Sequence, residues 1–122
     1  MAYDNDNVFA KILRGELPCD KVYENDHALA FKDIQPQAPV HILVIPKGPY
    51  VSMDDFSVNA SDAEISEFFR AVGQVARDAH VVETGYRLLA NHGDDGHQEV
   101  PHFHVHVFGG RDLGGMVRRA NA

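Results

Sequence analysis

Three histidines alternate with apolar residues in one short run of the chain, His102-Phe103-His104-Val105-His106-Val107-Phe108. A period of two residues is typical of a β-strand, because successive side chains of a strand point to opposite faces of its sheet. The run therefore predicts a strand that carries three imidazoles in a row on a solvent-facing side and packs its apolar residues on the other. Folding does not require such a row, so the pattern indicates a function.

Other strand signals surround this run. The stretch 40–45 is apolar at nearly every position and stops at Pro46, which favours a central strand buried on both faces. Shorter apolar segments bounded by turn residues predict further strands. These further strands are expected at residues 21–24, 28–31 and 86–90.

Two helices are predicted, one short and one long. Asn7 is placed to cap a short helix with an apolar stripe, and Gly15 ends it. Ser61 and Glu64 form a capping box before a long helix whose apolar residues recur at helical spacing. Residues 47–60 form a polar connection between strand and helix. One long helix between groups of strands predicts an α+β fold with a largely antiparallel sheet of five strands.

Length and composition predict a single domain over residues 1–122, with a core at about 7–117 and flexible ends at 1–6 and 118–122. The net charge of −7 argues against a nucleic-acid partner, since such partners require clustered Lys and Arg. Cys19 is the one cysteine, so no internal disulfide forms. No segment resembles a signal peptide and no apolar run has membrane-spanning length, which predicts a cytoplasmic protein without a membrane partner.

Two chemistries fit the histidine run. In the first, alternating imidazoles bind a transition metal, although a straight strand does not bring three of them easily to one ion and the motif lacks a carboxylate. In the second, one neutral imidazole attacks phosphorus while its neighbours orient it. His41, within the apolar stretch 40–45, is placed to fix a tautomer in that network. The glycine-bearing loop 93–96 allows close approach to a ligand and favours the second chemistry, with no metal and no cofactor.

The histidine run resembles the HφHφHφφ signature (φ, apolar) of the histidine triad (HIT) superfamily of nucleotide hydrolases and transferases. Similarity to its histidine triad nucleotide-binding (Hint) branch extends over about residues 7 to 117. The galactose-1-phosphate uridylyltransferase branch has glutamine in place of the third histidine, here His106, which favours a hydrolase. The similarity is carried by the segments Val8-Phe9-Ala10-Lys11-Ile12, Ala30-Phe31-Lys32-Asp33-Ile34, Pro36-Gln37-Ala38-Pro39-Val40-His41-Ile42-Leu43-Val44-Ile45-Pro46-Lys47 and Gly109-Gly110-Arg111-Asp112-Leu113-Gly114.

This resemblance implies a purine nucleoside phosphoramidase, which hydrolyses adenosine 5′-phosphoramidates to AMP and an amine through a nucleotidyl-histidine intermediate. It also implies a HIT-like fold and a homodimer whose two five-stranded sheets join into one sheet of ten strands. Two alternatives stay open at this point. They are a nucleotide-binding regulatory module with incidental hydrolysis and a dinucleoside polyphosphate hydrolase.

The resemblance also implies roles by position. His104 would be the nucleophile, His106 would bind the α-phosphate, and His102 with His41 would order the imidazole network. Asp33 would hold the ribose hydroxyls. Glu99 stands where some relatives have serine. The resemblance therefore leaves open which group donates the proton to the leaving amine. The other implied nucleotide-binding residues are Ile34 beside the ribose, Asn91 and the backbone near Gln98 and Glu99 on the phosphate and leaving-group side, and Val8, Phe9, Ile12, Leu17 and Phe31 around the purine. His97 stands where the family often has glycine, and it would add a titratable group near the leaving-group pocket.

Overall fold

The computed structural model describes residues 2–117 of the chain. Met1 and the tail 118–122 lie outside the described part. The prediction that this tail is flexible concerns those residues and is therefore not addressed by the structure. No helix in the described part is long and apolar enough to cross a membrane. Its elements, in chain order, are α1 (Val8–Leu13), β1 (Lys21–Glu24), β2 (Ala28–Lys32), β3 (Val40–Pro46), α2 (Met53–Asn59), α3 (Asp62–Asp78), β4 (Tyr86–Leu89) and β5 (Val105–Gly109).

The strands form one sheet in the order β1-β2-β3-β5-β4, and every neighbouring pair is antiparallel. β3 lies at the centre, where it pairs with β2 on one side and β5 on the other. Its residues are buried from His41 to the end of the strand, as the apolar stretch predicts. The α+β class and the five-stranded antiparallel sheet are therefore confirmed.

The two faces of the sheet carry different apolar clusters. Helix α3 packs on one face, and its Phe68 and Val75 are buried there with Phe103, Val105 and Val107 from the histidine run. The short helix α1 covers part of the other face. The cluster on that face consists of Phe9, Leu29, Phe31, Leu43 and Ile45.

The helix caps expected from the sequence are both formed. The side chain of Asn7 accepts a hydrogen bond from the backbone N–H of Ala10 at 2.9 Å, which starts α1. The Ser61 hydroxyl accepts from the N–H of Glu64 at 3.1 Å, and the Glu64 carboxylate accepts from the N–H of Ser61 at 3.0 Å. This reciprocal pair satisfies two N–H groups that an uncapped helix leaves free.

Helix α2 corrects the prediction of a polar connection at 47–60. Ser52 caps this helix, and its Phe56 is only 1% exposed. The ring of Phe56 contacts those of Phe68 and Phe103, with centroid distances of 5.2 and 5.1 Å. A helix of seven residues with one buried ring makes no periodic apolar stripe, which is why the sequence pattern did not predict it.

The histidine strand is shorter than predicted, since β5 begins at Val105. Val44 lies opposite Val105, and continuing that register would place Phe103 opposite Pro46. Proline has no N–H to donate to a neighbouring strand. The N–H of Phe103 donates instead to the carbonyl oxygen of Tyr50, at 2.7 Å.

Two of the three histidines of the run do not face solvent, contrary to the prediction, and the third, His106, is partly buried. His102 is 0% exposed and His104 is 6% exposed, because α1 and the residues before it cover them. The expected alternation itself is present, since the apolar residues of the run pack toward α3 while His104 lies beside Phe9 on the other face.

The segment 2–6 has defined contacts, although the sequence predicts a flexible end at residues 1–6. The Tyr3 hydroxyl lies 2.6 Å from Nδ1 of His102. The backbone N–H and the side-chain amide of Asn7 both donate to the carbonyl oxygen of Asp4, at 3.3 and 2.7 Å. These bonds hold the segment against the start of α1.

Candidate active site

The neighbouring central strands β3 and β5 bring two imidazoles together. His106 lies opposite Leu43 in the sheet, and His41 lies two residues before Leu43 on the same face. Nε2 of His41 is 3.0 Å from Nδ1 of His106. The carboxylate of Asp33, in the connection that precedes β3, lies 3.4 Å from the same Nε2 atom.

The hydrogen bonds around this pair assign the proton on each ring. The backbone N–H of Gln37 donates to Nδ1 of His41 at 3.1 Å, so the proton of the neutral His41 ring is on Nε2. That N–H donates in turn to Nδ1 of His106. The proton of the neutral His106 ring is therefore on Nε2, as a hydrogen-bond donor available to a ligand.

A second set of hydrogen bonds gives His104 the opposite arrangement. Nε2 of His102 donates to the carbonyl oxygen of Pro46 at 2.8 Å, and Nδ1 of the same ring accepts from the Tyr3 hydroxyl. Nδ1 of His104 donates to the carbonyl oxygen of His102 at 2.7 Å. The Nε2 atom of His104 therefore carries a lone pair, and the rings of His104 and His106 are adjacent, with centroids 5.0 Å apart.

The environment keeps these rings neutral. Burial lowers the pKa of His102 to about 4. Burial, together with the neighbouring His104 and His41, lowers the pKa of His106 to about 4. Burial also lowers the pKa of His104, against the opposing effects of its hydrogen bond and of the carboxylates of Asp33 and Glu99. Near pH 7 a neutral imidazole can act as a nucleophile through one nitrogen and as a hydrogen-bond donor through the other. A protonated imidazole can still donate, but it has no lone pair for nucleophilic attack.

Two aromatic rings border the imidazoles on the α1 side. Phe9 contacts the ring of His104 edge-on, with centroids 4.9 Å apart, and contacts Phe31 in the same way at 5.6 Å. Ile12 is partly buried against this apolar cluster. Three of the five residues that the resemblance places around a purine thus form one apolar surface next to His104.

The other residues predicted near the base and ribose differ in exposure. Val8, at the start of α1, is 41% exposed, and Leu17, after that helix, is 37% exposed. Ile34 is 93% exposed. The carboxylate of Asp33 lies beside His41, and the contact with the ribose hydroxyls that the resemblance implies for it stays a prediction. Ile34 touches none of this network, because it points outward from the bend after Asp33.

The loop 91–99 is held in place mainly by amide side chains. Asn91 donates through Nδ2 to the carbonyl oxygen of Gly96 at 2.5 Å, and the N–H of Gln98 donates to the carbonyl of Gly93 at 3.1 Å. Nε2 of Gln98 donates to the carbonyl oxygen of Val51 at 2.6 Å. His97 is exposed and has a φ of 57°, in the left-handed region that few non-glycine residues adopt and where histidine, like asparagine and aspartate, is enriched. The loop leaves both His97 and Glu99 exposed at the surface, and the charge of Glu99 acts on His104.

Among the described residues, the histidine network contains one group with metal-ligand spacing. Ligand atoms of Asp33, His41 and His106 all lie within 4.8 Å of one another, so the fold supplies a carboxylate that the motif lacks. An ion on Nε2 of His41 would, however, move that ring's proton to Nδ1, where it would meet the donating N–H of Gln37. The residues present therefore fit a hydrogen-bonded network better than a metal ion.

Three groups that set the tautomers of the imidazole network could not be predicted from the sequence. They are the Tyr3 hydroxyl, the backbone N–H of Gln37 and the carbonyl oxygen of Pro46. Two of these belong to the backbone, whose orientation no residue type reveals. Tyr3 stands in a polar segment whose pattern carries no signal of its burial.

The chain is similar over most of its length to the proteins of one known family. The HIT domain family model matches residues 14–113. A HIT-like protein of Azospirillum brasilense, described as uncharacterised, is 66% identical over 117 residues, which are 96% of each chain. The purine nucleoside phosphoramidase of Escherichia coli (strain K12) is 41% identical over 112 residues, 92% of this chain and 93% of that one. A solved structure, the HIT family hydrolase from Clostridium thermocellum, has a TM-score of 0.84 and 39% identity, covering 94% of this chain and 99% of the other.

The fold, the buried histidine network and the family match together define the class of protein. This chain belongs to the HIT family. Its relatives include one protein named as a HIT family hydrolase and another named as a purine nucleoside phosphoramidase. The predicted superfamily and the HIT-like fold are confirmed, while membership of the Hint branch stays a prediction.

Proposed function

We propose that this protein is a purine nucleoside phosphoramidase that hydrolyses adenosine 5′-phosphoramidates to AMP and an amine. One observation carries the proposal: His104 presents an unprotonated Nε2 next to a His106 whose Nε2 is protonated. A nucleophile and a hydrogen-bond donor stand side by side, which is the arrangement that attack on a phosphoryl group requires. The name of the Escherichia coli relative supports a purine substrate.

In the first step, the Nε2 lone pair of His104 attacks the α-phosphorus. A bond from Nε2 to phosphorus forms, the bond from phosphorus to the leaving nitrogen breaks, and the nitrogen takes a proton from solvent water so that it departs as a neutral amine. The Nε2–H of His106 donates to a phosphoryl oxygen as negative charge develops on it. Throughout this step the carbonyl of His102 holds the Nδ1–H of His104 and stabilises the positive charge that the ring gains.

In the second step, water attacks the nucleotidyl group on His104. The bond from phosphorus to Nε2 breaks, the electron pair of that bond returns the imidazole to its neutral form, and AMP is released as the attacking water gives its proton to solvent. His41 keeps its proton on Nε2 and so keeps His106 in the donor tautomer through both steps.

Nucleotide binding is assigned to the surfaces around these rings. The Phe9 and Phe31 surface would hold the purine, with Val8, Ile12 and Leu17 at its border. Asp33 would accept hydrogen bonds from the ribose, with Ile34 beside it. The loop residues Asn91, His97, Gln98 and Glu99 would face the phosphate and the leaving group.

The substrate class is tested by comparing kcat/KM over a panel of compounds. The panel consists of adenosine and guanosine 5′-phosphoramidates, dinucleoside polyphosphates and nucleotide sugars. We expect the phosphoramidates to be hydrolysed most efficiently. A preference for dinucleoside polyphosphates would contradict the proposal, as would tight AMP binding without turnover of any member of the panel.

We further propose a homodimer formed through strand β4. This strand lies at an edge of the sheet and exposes apolar side chains, with Tyr86, Leu88 and Leu89 at 42%, 45% and 38% exposure. The opposite edge, β1, instead carries the Lys21–Glu24 ion pair, and charged edges resist pairing with another chain. Antiparallel pairing of two β4 strands would give one sheet of ten strands. The cytoplasmic location expected from the sequence stays a prediction.

A further inference from the structure

The segment before α1 contacts the back of the histidine network. The Tyr3 hydroxyl lies 2.6 Å from Nδ1 of His102, and the two rings meet edge-on with centroids 5.6 Å apart. The turn of Asp4 and Asn7 anchors this segment, because both amide groups of Asn7 bond to the Asp4 carbonyl. Two residues later, Phe9 contacts the rings of both His102 and His104.

His102 needs both of its hydrogen bonds because it is completely buried. An unpartnered buried nitrogen is costly, so each ring nitrogen must have a partner. Pro46 offers only a carbonyl oxygen, which requires a proton on Nε2. Nδ1 must then accept a hydrogen bond, and the Tyr3 hydroxyl is its donor.

The orientation of His102 is passed on to His104 through the backbone. The carbonyl oxygen of His102 accepts the Nδ1–H of His104, and this bond puts the lone pair of His104 on Nε2. A shift of His102 would move that carbonyl and with it the imidazole of His104. Tyr3 is therefore joined to His104 by two consecutive hydrogen bonds.

We propose that Tyr3 is a positioning residue, which fixes the tautomer and orientation of His102 and thereby orients His104 for attack. This inference rests on the proposed phosphoramidase function, because the orientation of His104 is measured through turnover. It assigns a role to a segment that the sequence pattern predicts to be a flexible end. Tyr3 has no contact with the substrate in this role, so it should affect the rate and leave the affinity for the nucleotide unchanged.

The test compares Tyr3→Phe with wild type, since this change removes the hydroxyl and keeps the ring. We expect kcat for an adenosine phosphoramidate to fall by roughly three- to tenfold, the effect of one hydrogen bond, with KM and the dissociation constant of AMP unchanged. The matched control is Tyr23→Phe. Tyr23 belongs to the apolar cluster on the α3 face, away from the histidines, so this variant should retain wild-type kcat.

The tautomer is measured directly from ¹⁵N chemical shifts of the imidazole nitrogens. We expect wild-type His102 to show a protonated Nε2 and a hydrogen-bonded, unprotonated Nδ1, and Tyr3→Phe to shift the Nδ1 resonance. Wild-type kcat in Tyr3→Phe, or unchanged His102 resonances, would overturn the proposal. So would a loss of activity that appears as higher KM with lower thermal stability. A wild-type protein that hydrolyses no phosphoramidate contradicts the proposed function instead, and the nitrogen resonances still decide whether Tyr3 fixes His102.

Discussion

His104 and His106 are two residues apart on the same run, and their neighbours give them opposite protonation at Nε2. A backbone carbonyl accepts from Nδ1 of His104, whereas the imidazole of His41 donates to Nδ1 of His106. Residue type alone makes the histidines of the run equivalent. The difference between them comes from one carbonyl and one neighbouring ring, which only the fold brings into place.

The burial of these rings predicts a loss of stability in mild acid. The folded-state pKa of His102 is about 4, below the ordinary value of 6.5 for an unfolded chain. Between these values the unfolded chain binds more protons, so the free energy of unfolding falls as pH decreases through this window. His106 contributes in the same direction. We expect urea denaturation to show lower stability at about pH 5 than at about pH 7.

Comparing about pH 5 with about pH 7 measures the contribution of the histidines to stability without that of the carboxylates. The carboxylates whose pKa is lowered, such as Glu64 and Glu24, lose their contribution only below their ordinary value of 4.5. The control variant is His80→Asn, which changes an exposed histidine whose positive φ asparagine tolerates well. This variant should lose stability in acid to the same extent as wild type. Equal stability at the two pH values in the wild type would contradict the account.

At the scale of elements, the sequence predicts what periodicity and capping residues specify. Helix α3, its capping box and the central strand β3 follow directly from such patterns. Helix α2 does not, because its single buried ring gives no period. The start of β5 at Val105, instead of at His102, also could not be predicted. It depends on which residue the neighbouring strand places opposite Phe103.

The capping box gives a prediction for α3. Ser61→Ala removes the hydroxyl that accepts from the N–H of Glu64, and we expect it to lower the free energy of unfolding by about 1 kcal/mol in urea denaturation. Ser66→Ala is the matched control, because Ser66 lies on the exposed side of the same helix and its hydroxyl donates to a carbonyl within the helix. An equal effect of both substitutions would show that the cap does not stabilise α3.

At the scale of the whole molecule, the site is assembled from distant parts of the chain. The network joins Tyr3, the connection before β3, β3 itself and the histidine run, and the sheet order places the last two side by side. The apolar stretch around His41 already indicates it as a partner of the run, and it lies there. The resemblance to HIT proteins implies that Asp33 holds the ribose, whereas its carboxylate lies beside His41 in the fold. The resemblance could not supply Tyr3, since its similarity begins at about residue 7.

The homodimer proposal predicts the effect of charge on the β4 edge. Leu88→Lys places an ammonium group where two apolar strands would meet, and burying it without a partner is unfavourable. We expect this variant to sediment as a monomer in analytical ultracentrifugation at concentrations where the wild type is a dimer. Val58→Lys on α2, at a 72% exposed position, is the control and should leave the dimer intact. Identical sedimentation of Leu88→Lys and wild type would exclude β4 as the interface.

The central claim is that His104 forms a covalent bond to the nucleotide. It is tested most directly by rapid acid-free quench of an adenosine phosphoramidate reaction, followed by mass spectrometry of the protein and its peptides. We expect the mass of the wild-type chain to increase transiently by one adenylyl group, carried by His104. His104→Asn, whose amide can still donate to the His102 carbonyl, should bind AMP and form no adduct, with turnover lower by roughly a thousandfold or more. An adduct on another residue, or full turnover by His104→Asn, would contradict the account.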